Sequence, residues 1–333
     1  MSFDFTRRRV LRAALLACGA ASAGLALPAQ AQAQAWPDKP VRIVAAGPAG
    51  ATADMVARLL ADALGKEGGQ PVIVDPRPGA GGALAVNELS QAPHDGYTLL
   101  VGVNSLVSEI PHIVKLKFDM AKEIAPVAEL GRGGLVLVGN PNVPARDFAQ
   151  LRSWIKSQPG TVSYASYSAG TLSHVLGLQL NKAAGLDMTH VGYKGSTPAL
   201  TDVMGGHVPL MFDGIPSSLP LIRAGKVRAF AVSSAQRSPL LPDVPTFTEL
   251  GYPQLQATGW MGLWVKPDVP AAQQARLRET VLKLMGQPAL RAKLTELGFE
   301  PGQPRSQEEL SRSLQADYRR MGEVLKSIDF KPE

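Results

Sequence analysis

Short apolar runs alternate with stretches of helical periodicity along most of the chain. The runs Val41–Ala46, Pro71–Asp75, Tyr97–Val103, Leu135–Val138, Thr161–Ala165, Thr189–Tyr193, Val208–Phe212, Val227–Val232 and Trp260–Val265 have the length and composition of strands. Between them, Thr52–Gly65, Ala83–Gln91, Ala149–Ser157, Thr171–Ala184, Pro198–Met204 and Leu219–Ala224 repeat apolar residues at i, i+3 and i+4, the helical period. Strands alternating with helices argue for an α/β fold whose mostly parallel sheets are flanked by helices. From Pro270 onward the pattern is helical, punctuated by Pro288.

Two sheets account for the strands, one before about Val138 and one from there to about Gln254. Because Trp260–Val265 and the helical tail follow the second sheet, the chain is expected to return to the first domain. The expected division is residues 36–137 plus 255–333 for the first domain and 138–254 for the second. Two crossings make a two-strand hinge, the architecture of a clamshell closing over a ligand. In open α/β sheets the ligand lies beyond the carboxyl ends of the strands. Two such sheets facing each other aim both sets of loops at one solute.

The first 35 residues change the compartment. Arg7-Arg8-Arg9 opens a twin-arginine pattern, Ala13–Leu27 is an apolar run too short for a membrane span, and the Ala/Gln repeat to Ala35 offers small-residue cleavage sites. Export to the periplasm is expected, with cleavage after Ala35 or lipid attachment at Cys18, the single cysteine. Cleavage leaves 298 residues without cysteine, which excludes disulfides and thiolate chemistry. The leader holds four arginines against Asp4, so the net charge falls from +6 to about +3. That is no nucleic-acid footprint. The five histidines are scattered, so neither a metal site nor a cofactor is expected.

Three loops have candidate chemistry. The first, Ala45–Asp54, joins a strand to a helix: Gly50 and Ala51 permit close backbone approach, and Thr52 is expected to cap the helix. Helix-terminal N–H groups there suit a carboxylate, although an ordinary helix start has the same residues. Asp54 either serves the helix dipole or meets the ligand. The second loop, Asp75–Gly82, fails G-x-G-x-x-G at Leu84, and the chain has no G-K-[ST], so it reads as a turn. The third, Ser166-Tyr167-Ser168-Ala169-Gly170-Thr171, again opens a helix. It is either a second anion cradle or a degenerate nucleophile elbow with Ser168 attacking, followed by Asp202 or Asp213 and His207. His174, one turn on, contacts the ligand or braces the loop. Lys194, after a strand, steers an acid or solvates a turn.

In combination the motifs resemble the Bug-type periplasmic receptors of tripartite tricarboxylate transporters. Trp36-Pro37-Asp38-Lys39-Pro40, Arg77-Pro78-Gly79-Ala80-Gly81-Gly82, Asp95-Gly96-Tyr97-Thr98-Leu99-Leu100, Tyr193-Lys194-Gly195, Ala224–Ala229 and Leu241–Thr246 follow in the family's order, from Trp36 to about Leu325. The resemblance implies a two-domain Venus-flytrap fold and a non-enzymatic monomer. It would grip a small carboxylate (a dicarboxylate, an acidic amino acid or an aromatic acid) between Gly50, Ala51, Thr52 and Asp54 and the loop Ser166, Ser168, Ala169, Gly170, Thr171 and His174. Ser105 and Asp213 would select the remainder, and the partner would be a membrane permease or a sensor. The usual P-P-G-G-x-T-D reads Pro48-Ala49-Gly50-Ala51-Thr52-Ala53-Asp54 here, and Ser168 replaces a glycine. The rival reading is an exported serine hydrolase using Ser168.

Overall fold

The computed structural model describes residues 36–327 and Phe330. The twin-arginine leader, the Ala35 cleavage point and Cys18 lie outside the described residues.

In chain order the first lobe begins with β1 (Val41–Ala45), α1 (Thr52–Gly68), β2 (Val72–Pro76), α2 (Ala83–Ser90) and β3 (Thr98–Val103). The short helices α3 (Ser105–Ser108), α4 (Ile110–Ile113) and α5 (Met120–Glu123) then lead to β4 (Ala125–Gly133). The second lobe comprises β5 (Leu135–Gly139), α6 (Phe148–Lys156), β6 (Ser163–Ser166), α7 (Leu172–Ala184), β7 (Thr189–Gly192), α8 (Ser196–Gly205), β8 (Leu210–Gly214), α9 (Ile215–Arg223) and β9 (Arg228–Val232). The chain returns with β10 (Gly259–Val265), α10 (Ala271–Met285), α11 (Pro288–Glu296), β11 (Glu300–Pro301) and α12 (Gln307–Ser327).

Strand alternation assigns each sheet face a core. On β1, Val41, Ile43 and Ala45 face one side with Leu99 and Val101 of β3 and Met261, Leu263 and Val265 of β10. Helix α1 covers them with Val56, Ala57, Leu60, Ala61 and Leu64, one stripe of a helix. Val44, Leu100, Trp260 and Trp264 face the other way, under α2 and the start of α12. The second lobe repeats the scheme. Leu137, Tyr164, Leu210 and Phe212 meet α6 and α7, whereas Val136, Val138, Ala165 and Met211 meet α8 and α9. Both faces of both sheets are therefore buried, which is why their strands read as nearly continuous apolar runs.

The first sheet has the order β11-β4-β10-β3-β1-β2 and the second β7-β6-β8-β5-β9. β1 runs parallel to β2 and β3, and β6 to β7 and β8, but β10 is antiparallel to β3 and β4, and β5 to β8 and β9. The sheets are thus mixed, not mostly parallel as the alternation suggested. The cause is the pair of crossings: strands entering a lobe from its partner have no βαβ unit to impose direction. β4 and β11 were not expected from the sequence either. β4 carries Pro126 and the buried Glu129, whose carboxylate is held by Arg132 at 2.8 Å and Arg305 at 3.4 Å. Pro126 sits opposite Trp264, where the β4–β10 register shifts.

The two crossings touch. A Cβ on Gly134 would stand 2.5 Å from the Ser234 nitrogen. Ser233 Oγ accepts from Leu135 N at 2.9 Å and donates to the Ala257 carbonyl at 2.8 Å. Below this hinge the two lobes face each other across a cleft.

Candidate functional site

The cleft encloses a cavity of about 110 Å³, lined from both lobes. One water needs about 10–15 Å³ of such space, so the cavity suits a small solute. Five helices of eight residues or more begin on it. Their N-cap residues, Ala51 for α1, Gly82 for α2, Thr171 for α7, Gly195 for α8 and Gly214 for α9, all line the cavity, and none provides a side-chain cap. The first N–H groups of a helix have no partner within it and carry the positive end of its dipole. Among the described residues, Lys194, exposed at the edge, is the one charged side chain in the lining, and no carboxylate is among the lining groups. The cavity is therefore electropositive.

A carboxylate of the protein stands beside two of these helix starts. Asp213, at the end of β8, is fully buried and accepts from Ser196 Oγ (2.5 Å) in the first turn of α8 and from Ser217 Oγ (2.6 Å) and Ser218 Oγ (2.7 Å) in that of α9. Burial pushes its carboxyl up, against those hydroxyls, which favour the charged form. Ser217 Oγ also lies 3.3 Å from Thr52 Oγ1, linking Asp213 to the opposite lobe. Thr197 Oγ1 adds a bond to the Ala49 carbonyl at 3.3 Å, so the cleft is closed. The starts of α2 and α7 have no such carboxylate, and that of α1 has Asp54 in its first turn.

Residues 56–330 match the family described as "Tripartite tricarboxylate transporter family receptor". The chain belongs to this receptor family. A protein of the UPF0065 group from Bordetella bronchiseptica is 34% identical over 312 residues, covering 92% of this chain and 91% of the relative. Among solved structures, Rpa4515 of R. palustris with adipate is 31% identical with a TM-score of 0.84, covering 90% of this chain and 100% of the other. MatC (Rpa3494) from Rhodopseudomonas palustris with bound malate is 31% identical with a TM-score of 0.80, covering 87% and 100%. Receptors of this family are binding proteins, not enzymes, and the two-domain flytrap expected from the sequence is the fold they share.

Among the described residues, the groups of the serine-hydrolase reading are not brought together. Ser168 Oγ donates to the Ala169 carbonyl at 3.2 Å, Asp202 accepts from the Tyr193 hydroxyl at 2.6 Å, Asp213 is enclosed by serines, and His207 is exposed in its turn. The S-x-S-x-G spacing that suggested an elbow instead builds the helix start at α7.

Of the residues singled out in the sequence, Ala51, Thr52, Ser105, Ser168, Thr171 and Lys194 line the cavity, Thr52 as the first residue of α1 and not as its cap; Gly50, Asp54, Ser166, Ala169, Gly170, His174 and Asp213 are not among the lining residues. Asp54 is buried and braces the loop: its Oδ2 accepts from Gly50 N at 2.9 Å and from Arg58 Nε at 2.9 Å. Gly50 has φ +75°, so this loop needs a residue tolerant of the left-handed region. Behind Thr171, the His174 and His190 rings stack at 3.6 Å. His190 Nε2 pairs with Ser166 Oγ at 2.7 Å, and His174 Nδ1 accepts from Gly170 N at 3.3 Å. Burial holds His174 near 3, with help from its neighbour's charge, and His190 near 4. Both are neutral at pH 7 and position the loop.

The second loop, read from the sequence as a turn, lines the cavity with Gly79, Gly81 and Gly82, and two side chains were also missed. Glu109, fully enclosed beside Ser108 and Ser105, is pushed up to about 7 by burial. Its only trace in the sequence is an acid inside the apolar stretch Leu106–Ile110. Trp260 lines the cavity but reads in sequence as ordinary strand core.

Proposed function

We propose that this receptor captures a small carboxylate in the closed cleft and presents it to a tripartite tricarboxylate-type permease. One carboxylate lies among the N-terminal amides of α1, α2 and α7, with the Ser168 and Thr171 hydroxyls beside it and Lys194 drawing the anion in. The observation that carries this reading is the convergence of uncapped helix starts on a cavity without an acidic side chain. The adipate and malate in the two R. palustris receptors support it. The leader pattern supports a periplasmic protein, and no described helix is long and apolar enough to cross a membrane. The receptor acts as a monomer, since one chain supplies both walls of the cleft.

A thermal-shift screen of residues 36–333 against C3–C8 carboxylates tests the reading. A ligand at a hundred times its Kd raises stability by about 2.7 kcal/mol. Thr171 Oγ1 donates to the Ser168 carbonyl at 2.7 Å, so Thr171→Ala both removes a lining hydroxyl and frees the loop. It should weaken the best ligand about tenfold. A screen in which no carboxylate raises the melting temperature would overturn the proposal.

A further inference from the structure

Two tryptophans on one face of β10, Trp260 and Trp264, stack at 5.3 Å with 17° between their planes, yet their N–H groups meet different fates. Trp264 Nε1 donates to the Gly102 carbonyl at 3.0 Å. Trp260 is 1% exposed, and no described protein atom accepts from its Nε1. An indole N–H is a donor only, and leaving it unpaired in the interior is costly. Of the three buried side-chain polar atoms without a partner among the described residues, Trp36 Nε1, Asp54 Oδ1 and Trp260 Nε1, only the last belongs to a residue lining the cavity.

The ring's orientation follows from its neighbours. A Cβ on Gly262 would come within 2.7 Å of Trp260 Cζ3, so the six-membered edge leans down the strand toward Gly262 and Trp264. Nε1 is on the other side of the bicycle, toward the start of β10, where Gly259, Asn104 and Ser105 line the cavity. Asn104 Oδ1 accepts the backbone N–H of Trp260 at 2.9 Å and makes no bond to its indole N–H.

Resting on the carboxylate reading above, we propose that Trp260 Nε1 donates to a second oxygen acceptor of the bound acid. The site thereby selects a dicarboxylate or hydroxy acid over a monocarboxylate of the same chain length. The same donor disfavours an ammonium group at that end, which has no lone pair to offer. The α1, α2 and α7 starts hold the first carboxylate, and the indole reads the far end.

The test is calorimetric titration of wild-type protein and Trp260→Phe with succinate, malate and butyrate. Phe keeps an aromatic ring beside Trp264 but removes the donor together with part of the bicycle, so butyrate serves as the control for lost packing. Wild type should prefer succinate or malate to butyrate, and Trp260→Phe should bind the preferred acid about ten- to hundredfold more weakly, with butyrate unchanged. Tight binding of succinate or malate that Trp260→Phe leaves intact overturns this inference and spares the carboxylate reading. Equal losses for all three acids also overturn it, because they report distortion of the cleft. Wild type that binds no carboxylate overturns both. Should the variant fail to fold, wild-type protein with ¹⁵N-labelled indoles gives the answer. The Trp260 N–H resonance, assigned by its contacts to Trp264, should move downfield with the dicarboxylate and stay in place with butyrate; an unmoved resonance with bound dicarboxylate refutes the contact.

Discussion

Gly195→Ala should impair ligand binding by blocking closure of the cleft, although Gly195 stands at the mouth, opposite Pro48. A Cβ at Gly195 would lie 2.1 Å from Pro48 Cδ and 2.5 Å from Cγ, and a proline ring cannot swing aside. Contacts that short force the two loops apart, at an overpacking cost of about 1–3 kcal/mol. Gly195 also has φ +121°, a conformation that strains alanine whether the cleft is open or shut. Strain common to both states cancels from the binding free energy, whereas the clash with Pro48 exists only in the closed state. Ligand binding coupled to closure should therefore weaken by about 5- to 150-fold. The assay is calorimetric titration with the strongest ligand from the screen, run as a double-mutant cycle with Pro48→Ala. Removing the ring should restore most of the lost affinity, giving a large coupling energy between residues on opposite lobes. Wild-type affinity in Gly195→Ala, or a loss that Pro48→Ala leaves untouched, would show that the cleft does not close on its ligand by this contact.

Three further outcomes concern stability. Gly177 lies inside α7 against the buried Tyr164 ring, 2.0 Å from Cε2 for an added Cβ, so Gly177→Ala should destabilise by about 1–3 kcal/mol despite alanine's better helix propensity, as read from urea unfolding. The neutral His174–His190 pair should make the fold acid-sensitive. Their folded values, near 3 and 4, lie below the ordinary 6.5, so the unfolded chain binds more protons below that pH. Their contribution is complete above pH 6.5 and is lost as pH falls toward 4 and 3, by up to about 1.4 kcal/mol per pH unit for each ring. Glu109 acts in the opposite sense: with its carboxyl raised to about 7 from 4.5, its contribution is complete below pH 4.5 and lost as pH rises to 7. Melting temperatures should drop between pH 6.5 and 4 less steeply in His190→Gln than in wild type, and Glu109→Gln, which removes the opposing titration, should steepen the drop between pH 6.5 and 4.5. Parallel curves for all three proteins would refute both assignments.

Local pattern determined much of this protein. β1, β3 and β10 are apolar on both faces and flanked by loops, and α1 carries an uninterrupted stripe from Val56 to Leu64, so neighbours along the chain suffice to declare them. The starts of α1 and α7, where Ala51 and Thr171 reach the cavity, were visible for the same reason: a strand, a small-residue loop and a helical period occur in one short stretch. β4 was hidden because Pro126 and Glu129 argue against a buried strand. The ion pairs with Arg132 and Arg305 and the register shift opposite Trp264 that admit them depend on residues up to 176 positions away. Asp213 looked like a selecting acid because Ser196, Ser217 and Ser218 surround it only after α8 and α9 pack together. Trp260 was indistinguishable from Trp264 in a strand of apolar residues. Which indole finds a carbonyl and which faces the cleft is set by the contacts of folded neighbours. Periodicity encodes which residues are buried; tertiary packing alone decides which buried polar groups are already paired and which remain for a ligand.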